Sequence, residues 1–196
     1  MIATLTGCAA GDQPADSPER SAEGKQKWYA SPAHIAKSSD LVIQGKVTAI
    51  SPGRTYGDDK EALITTRYVD IDVLDVLHGP ADLSTVRLEE EGYDADGVGY
   101  VMNGVQWSKV GDEGYFLLRK HPDSKDTYLQ VSSYGRILYV GDKTGPSGHE
   151  PLDEGRPWAG HGQDLKNKDG IEAALRKAVK TAATLPETAT ASAESK

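Results

Sequence analysis

The sequence predicts a mainly β domain with flanking helices, of the α+β class: a single small antiparallel Greek-key barrel, a short N-terminal helix and one C-terminal helix. Three observations carry that expectation. Between Leu63 and Val73 apolar and polar side chains alternate with period two. Short β-branched or aromatic runs recur between turns rich in Gly, Pro and Ser. Near the C-terminus Ile171, Ala174, Leu175, Ala178 and Val179 fall on one face at helical spacing. A length of 196 residues suits one domain, expected over residues 31–181.

Each element has a local reason. Ser31 before Pro32 is a good N-cap followed by proline at the first helical position, so a short helix opens the domain. Asp40 to Ile50 is apolar and β-branched and reads as a strand closing at Ser51-Pro52-Gly53. The run from Leu63 follows, and its apolar phase slips by one residue at Val73-Leu74, the mark of a β-bulge. His78-Gly79-Pro80 turns the chain into a third strand through Leu83, Val86 and Leu88, which ends at Glu89-Glu90-Glu91. Gly92 to Gly111, with five glycines and Trp107, reads as an irregular excursion with Val98 to Val101 as a candidate strand. Tyr115 to Leu118, Tyr128 to Val131 and Arg136 to Val140 complete the sheet at hairpin spacings. Gly141 to Gly162 reads as a loop, Asp169 as the start of a capping box for the last helix, and residues 182–196 as a disordered tail. The expected core includes Val42, Val47, Val69, Ile71, Leu88, Phe116, Leu117, Val131 and Ile137.

Acidic residues number 30 against 22 basic, a net charge of −8, and residues 51–100 alone hold 12 acidic against 4 basic. A nucleic-acid binder presents a basic stripe, so no nucleic-acid partner is expected. No run of about 18 apolar residues occurs, so no membrane-crossing helix is predicted. The sequence contains no G-x-S-x-G, S-x-x-K, H-E-x-x-H, Walker or G-x-G-x-x-G motif, and neither catalysis nor a cofactor is expected.

Three groups remain as candidates. Trp107, Tyr93 and Tyr100 sit in the glycine-rich excursion, where aromatics at a barrel mouth hold extended ligands; the plain alternative is that Trp107 plugs the barrel end. Glu89, Asp94 and Asp96 are weak metal candidates for a hard cation such as Ca²⁺, against an ordinary acidic strand end, and the EF-hand spacing fails because Val98 and Val105 stand at its fifth and twelfth positions. His149, Glu150 and His161 define the rival reading, a metal-dependent hydrolase, although a Gly/Pro-rich loop does not pre-set ligand geometry.

Two resemblances add to this. The order of elements fits a five-stranded OB-type barrel, and Ser38 to Val47, Val69 to Pro80 and Val110 to Leu118 resemble small extracytoplasmic domains of Gram-positive bacteria. The netrin-like domain of metalloprotease inhibitors is similar in its barrel, but that family uses disulfides and this sequence has one cysteine. Leu5-Thr6-Gly7-Cys8 resembles the lipobox of bacterial lipoproteins, which implies that Cys8 becomes a lipidated first residue. Seven residues precede Cys8, so a signal peptide with a full apolar region is expected to start upstream, or to have been trimmed. Ala9 to Lys27 lacks Ile, Leu, Val and aromatics and reads as a flexible tether with an end-to-end distance of about 24 Å. The expected function is therefore a lipoprotein on the outer face of the cell membrane. It would act as a non-enzymatic binding or accessory module, with an envelope protein or glycan as its partner.

Overall fold

The structure is a computed structural model, and it describes residues 18–24, 27, 29–57, 63–140, 143–145, 157–161 and 164–186. It is mainly β with two helices, one of them C-terminal. In chain order the elements are β1 (Arg20–Ala22), α1 (Pro32–Lys37), β2 (Leu41–Tyr56), β3 (Ile64–His78), β4 (Thr85–Tyr93), β5 (Tyr100–Met102), β6 (Glu113–Lys120), β7 (Tyr128–Gln130), β8 (Arg136–Val140), β9 (Lys143–Gly145) and α2 (Lys168–Ala182). The larger sheet runs β2-β3-β4-β7-β6-β8-β9, and β2 pairs with β6 as well. Among the described residues, no helix is long and apolar enough to cross a membrane.

β2 passes straight through Ser51-Pro52-Gly53, where the sequence suggested its end. Its ladder with β6 stops at Lys46, while that with β3 continues to Tyr56. A proline on a strand with one ladder partner needs no N–H on its other side, which explains why Pro52 is tolerated. Gly53 lets the two strands close up there, since a Cβ would lie 2.3 Å from Thr66 Oγ1. Further down, the register skips Leu74 between Gln44↔Asp75 and Gly45↔Val73. That bulge falls where the apolar phase slips, and Leu74 is left 52% exposed.

β6 shows why Tyr115 to Leu118 lacks alternation: both of its faces are covered. Phe116 and Leu118 pack with Leu41, Ile43, Val69, Ile71 and Leu88 in one cluster. Tyr115 and Leu117 pack with Val42, Ile35, Ile137, Ile171 and Leu175 in a second, beneath the helices. All nine expected core residues are buried. They divide between two clusters because α1 and α2 lie against the outside of the sheet rather than at its end.

Four expectations are corrected. Residues 20–22 of the supposed tether form β1, parallel to β5 in the register Arg20↔Tyr100 to Ala22↔Met102. Arg20 is also tied to Asp94 at 2.6 Å. The loop expected over 141–162 contains β9, paired with β8, and Trp158, which is fully buried with Nε1 donating to the Tyr134 carbonyl at 3.3 Å. At the other end, residues 183–185 continue the backbone hydrogen bonding of α2 into a turn, and the rest of the predicted tail from 187 lies outside the described residues, as do 9–17 of the tether. The N-cap of α2 is Asn167 rather than Asp169: its extended backbone lets the side chain accept from Gly170 N at 2.9 Å. Asn167→Ala is expected to cost about 1 kcal/mol of unfolding free energy by urea denaturation. Asp169→Ala should cost less than about half of that, through the helix dipole alone.

Candidate functional site

A cleft of about 430 Å³ opens where the ends of β2, β3, β4, β6 and β7 meet the segment that follows β5. β2 contributes Tyr56, β3 Thr66, β4 Glu89 and Glu90, and the segment after β5 contributes Gln106 and Trp107. His121, at the end of β6, and Gln130 of β7 close the far side. The length of β2 is what brings Tyr56 here.

Two carboxylates form the floor, Glu89 buried and Glu90 13% exposed at its side chain, each with its own cations. Glu89 accepts from Arg54 Nε at 3.2 Å and Nη2 at 2.9 Å, from Thr66 Oγ1 at 3.1 Å, and from the Tyr56 hydroxyl through a short hydrogen bond. Burial would raise its carboxyl, but the bonds from Tyr56, Arg54 and Thr66 outweigh burial and hold it below the ordinary value. Burial and the bond to Glu89 push the Tyr56 phenol up to about 12, so the ring stays neutral at physiological pH. Arg54 Nη2 also lies 2.6 Å from His121 Nε2. His121 Nδ1 accepts from Asp123 N at 3.0 Å.

Glu90 accepts from Arg67 Nη1 at 2.8 Å and from Ser108 N and Oγ at 3.1 and 2.9 Å. Arg136 lies 3.6 Å from it and donates to Ser108 Oγ at 2.6 Å and to the Gln106 carbonyl. Burial pushes the Glu90 carboxyl up and the Arg136 guanidinium down, against the attraction between them. This network pins the backbone of residues 106–108, and with it one wall of the cleft.

The predicted aromatic trio is brought together, but as packing. Trp107 is 5% exposed, donates through Nε1 to the Tyr100 carbonyl at 2.9 Å, carries the Arg67 guanidinium 4.1 Å from its ring and meets Tyr93 edge-on at 5.2 Å. Tyr100 is 7% exposed and donates to Glu91 Oε2 at 2.7 Å. Of the three, Trp107 alone lines the cleft.

The acidic candidates do not gather. Glu89 is taken up by Arg54, Tyr56 and Thr66. Asp94 instead binds Arg20 and accepts from the amides of Asp96 and Val98 in its own turn, both at 3.0 Å. Among the described residues no group of three His, Cys, Asp or Glu side chains is placed to hold a metal ion. Cys8, His149 and Glu150 lie outside the described residues. His161 is half-buried beside the turn that carries Trp158 and donates its amide to the Trp158 carbonyl at 3.0 Å.

Sequence reasoning passed over Tyr56, Arg54, His121 and Gln130. A signal existed for the first two: Arg54 and Tyr56 alternate with Thr55 beyond Gly53, as a continuing strand would.

No protein-family model matches the chain, and a search of curated proteins finds no match either.

Proposed function

We propose that the chain is a lipid-anchored extracytoplasmic binding module, an OB-like barrel whose cleft receives a ligand of the cell envelope without chemical turnover. The position of the cleft carries this reading. The pairings follow the circuit β2-β3-β4-β7-β6 and return to β2, with β4 and β7 parallel at Leu88↔Tyr128 and the other pairs antiparallel. That is the strand order of a five-stranded Greek-key barrel of the OB type. Such barrels bind their ligands at the loops between the first and second strands and between the fourth and fifth. Tyr56 and Ile64 flank the first of these loops and His121 opens the second, and all three line the cleft.

Binding without chemistry is favoured because the titratable groups of the cleft floor are already engaged. Glu89 and Glu90 accept from arginines, and Ser108 is held between Glu90 and Arg136. Attachment through Cys8 rests on the lipobox resemblance. Its test is fractionation of cells expressing the gene with its upstream in-frame codons. Wild type is expected in the membrane fraction and Cys8→Ala in the soluble fraction; a Cys8→Ala protein that stays with the membrane sinks the anchor.

A further inference from the structure

We infer that residues 18–24 are a strap that clamps the glycine-rich wall of the cleft, so that their docking and the order of that wall form one equilibrium. Three sets of contacts make the clamp. At its start, the amides of Glu19 and Arg20 donate to the Gly99 carbonyl at 2.8 and 3.1 Å, and β1 then runs along β5. At its far end the Asn103 amide donates to the Ala22 carbonyl at 2.8 Å, and the Asn103 side chain accepts from the Gly24 amide at 2.9 Å. Outside the ladder, Arg20 holds Asp94 at 2.6 Å.

These contacts lead to the cleft lining. Asn103 lines the cleft itself, and its left-handed backbone, at φ 52°, sits between its two bonds to the strap. Met102 lines it too, and its Sδ lies 3.0 Å from where a Cβ on Gly24 would stand. Gly99 is caught between strap and wall: a Cβ there would lie 2.5 Å from Trp107 Cη2 and 3.2 Å from Pro18 Cα. Tyr100, paired with Arg20, accepts through its carbonyl from Trp107 Nε1 at 2.9 Å. A shift of β5 therefore moves Trp107, the aromatic part of the cleft wall.

The strap can come away without opening the core. Residues 20–22 are exposed or half-buried, and none of residues 18–24 belongs to a hydrophobic cluster. A two-stranded sheet of three-residue strands has little stability of its own, and an ion pair whose arginine side chain is 56% exposed adds little. Pro18 stands ten residues after Cys8. On the lipid-anchored binding-module reading, on which the regulatory use of the strap rests, a displacement of the anchored segment reaches the strap before any other described residue and loosens the cleft.

The test is hydrogen exchange of the full chain, read by NMR with neither ligand nor membrane present, so its failure leaves the binding-module reading standing, and failure of that reading leaves the clamp in place. Arg20→Pro removes one N–H bonded to Gly99 and the tie to Asp94. It is expected to speed exchange by about tenfold at the Asn103 amide and the Trp107 indole, while the amides of Ile71 and Phe116 in the core stay within about twofold of wild type. Asn103→Ala acts from the wall side and should speed exchange by about threefold at Glu19, Arg20 and Gly24, which keeps the test open if Arg20→Pro does not fold. If the wall stays within about twofold in Arg20→Pro, or the strap does in Asn103→Ala, the two are uncoupled and the inference is overturned. An equal rise in the core amides also overturns it, because the strap would then belong to the global fold.

Discussion

Glu90→Gln is expected to lower the unfolding free energy by about 3 to 5 kcal/mol, the largest loss anticipated for any single polar substitution in this molecule. The exchange keeps the shape of the side chain and removes its charge. Arg67 and Arg136 then remain buried, their side chains 8% and 1% exposed, with no carboxylate between them. Arg136 Nε already lacks a hydrogen-bond partner, so the site has no spare acceptor to take up the loss. The pair need not be a large net stabiliser for this to hold, because desolvation offsets much of its attraction and the cost lies in breaking it. A double variant, Glu90→Leu with Arg136→Met, should therefore lose less than the sum of the two single changes. Urea denaturation measures both. A Glu90→Gln loss below about 1 kcal/mol would mean that the network is open to water.

Ile71→Ala is expected to cost about 2 to 5 kcal/mol, through lost burial and the cavity left behind. Ile71 is fully buried in the cluster with Val69, Leu88 and Phe116, and its Cγ2 occupies the space that Gly45 leaves open on β2. Leu74, three residues on, stands on the bulge and is 52% exposed, so Leu74→Ala should stay within about 0.5 kcal/mol. The contrast tests the strand phase more sharply than either value alone. Equal losses at the two positions would place the register shift elsewhere.

The same stretch shows how far the sequence could be read. Alternation from Leu63 and its slip at Val73-Leu74 are local patterns, and both survive in β3 because Arg67, Val69 and Ile71 are buried on one face and Val73 and Val76 pack against the same core beyond them. The unbroken apolar run at Tyr115 to Leu118 pointed to a strand but not to the helices that cover its outer face. Pro52 and Gly53 read as a strand end by local rules, and the tertiary environment overrode them: β2 has a free side at that point and a close approach to Thr66. β1 is a three-residue strand whose partner, β5, lies far along the chain, so no window around it carries a signal; β9 is equally short and pairs with β8, the strand just before it.

The cleft was still less legible. Three consecutive glutamates look like a solvated strand end, or ligands for a cation. What engages Glu89 and Glu90 is Arg54, 35 residues before the first, and Arg67, 23 before the second. The aromatic residues of the glycine-rich excursion stand together, and Trp107 alone of the three lines the cleft. The exposed ring is that of Tyr56, on a strand thought to have ended.

The most direct test of the account is amide chemical-shift mapping of the labelled full chain against a solubilised cell-envelope fraction, with the added material recovered and analysed afterwards. The account predicts saturable shifts confined to the residues around Tyr56, Gln106, His121 and Gln130, and recovered material that is chemically unchanged. Shifts centred on the outer face of α1 and α2, or recovered material that has been cleaved, would contradict it.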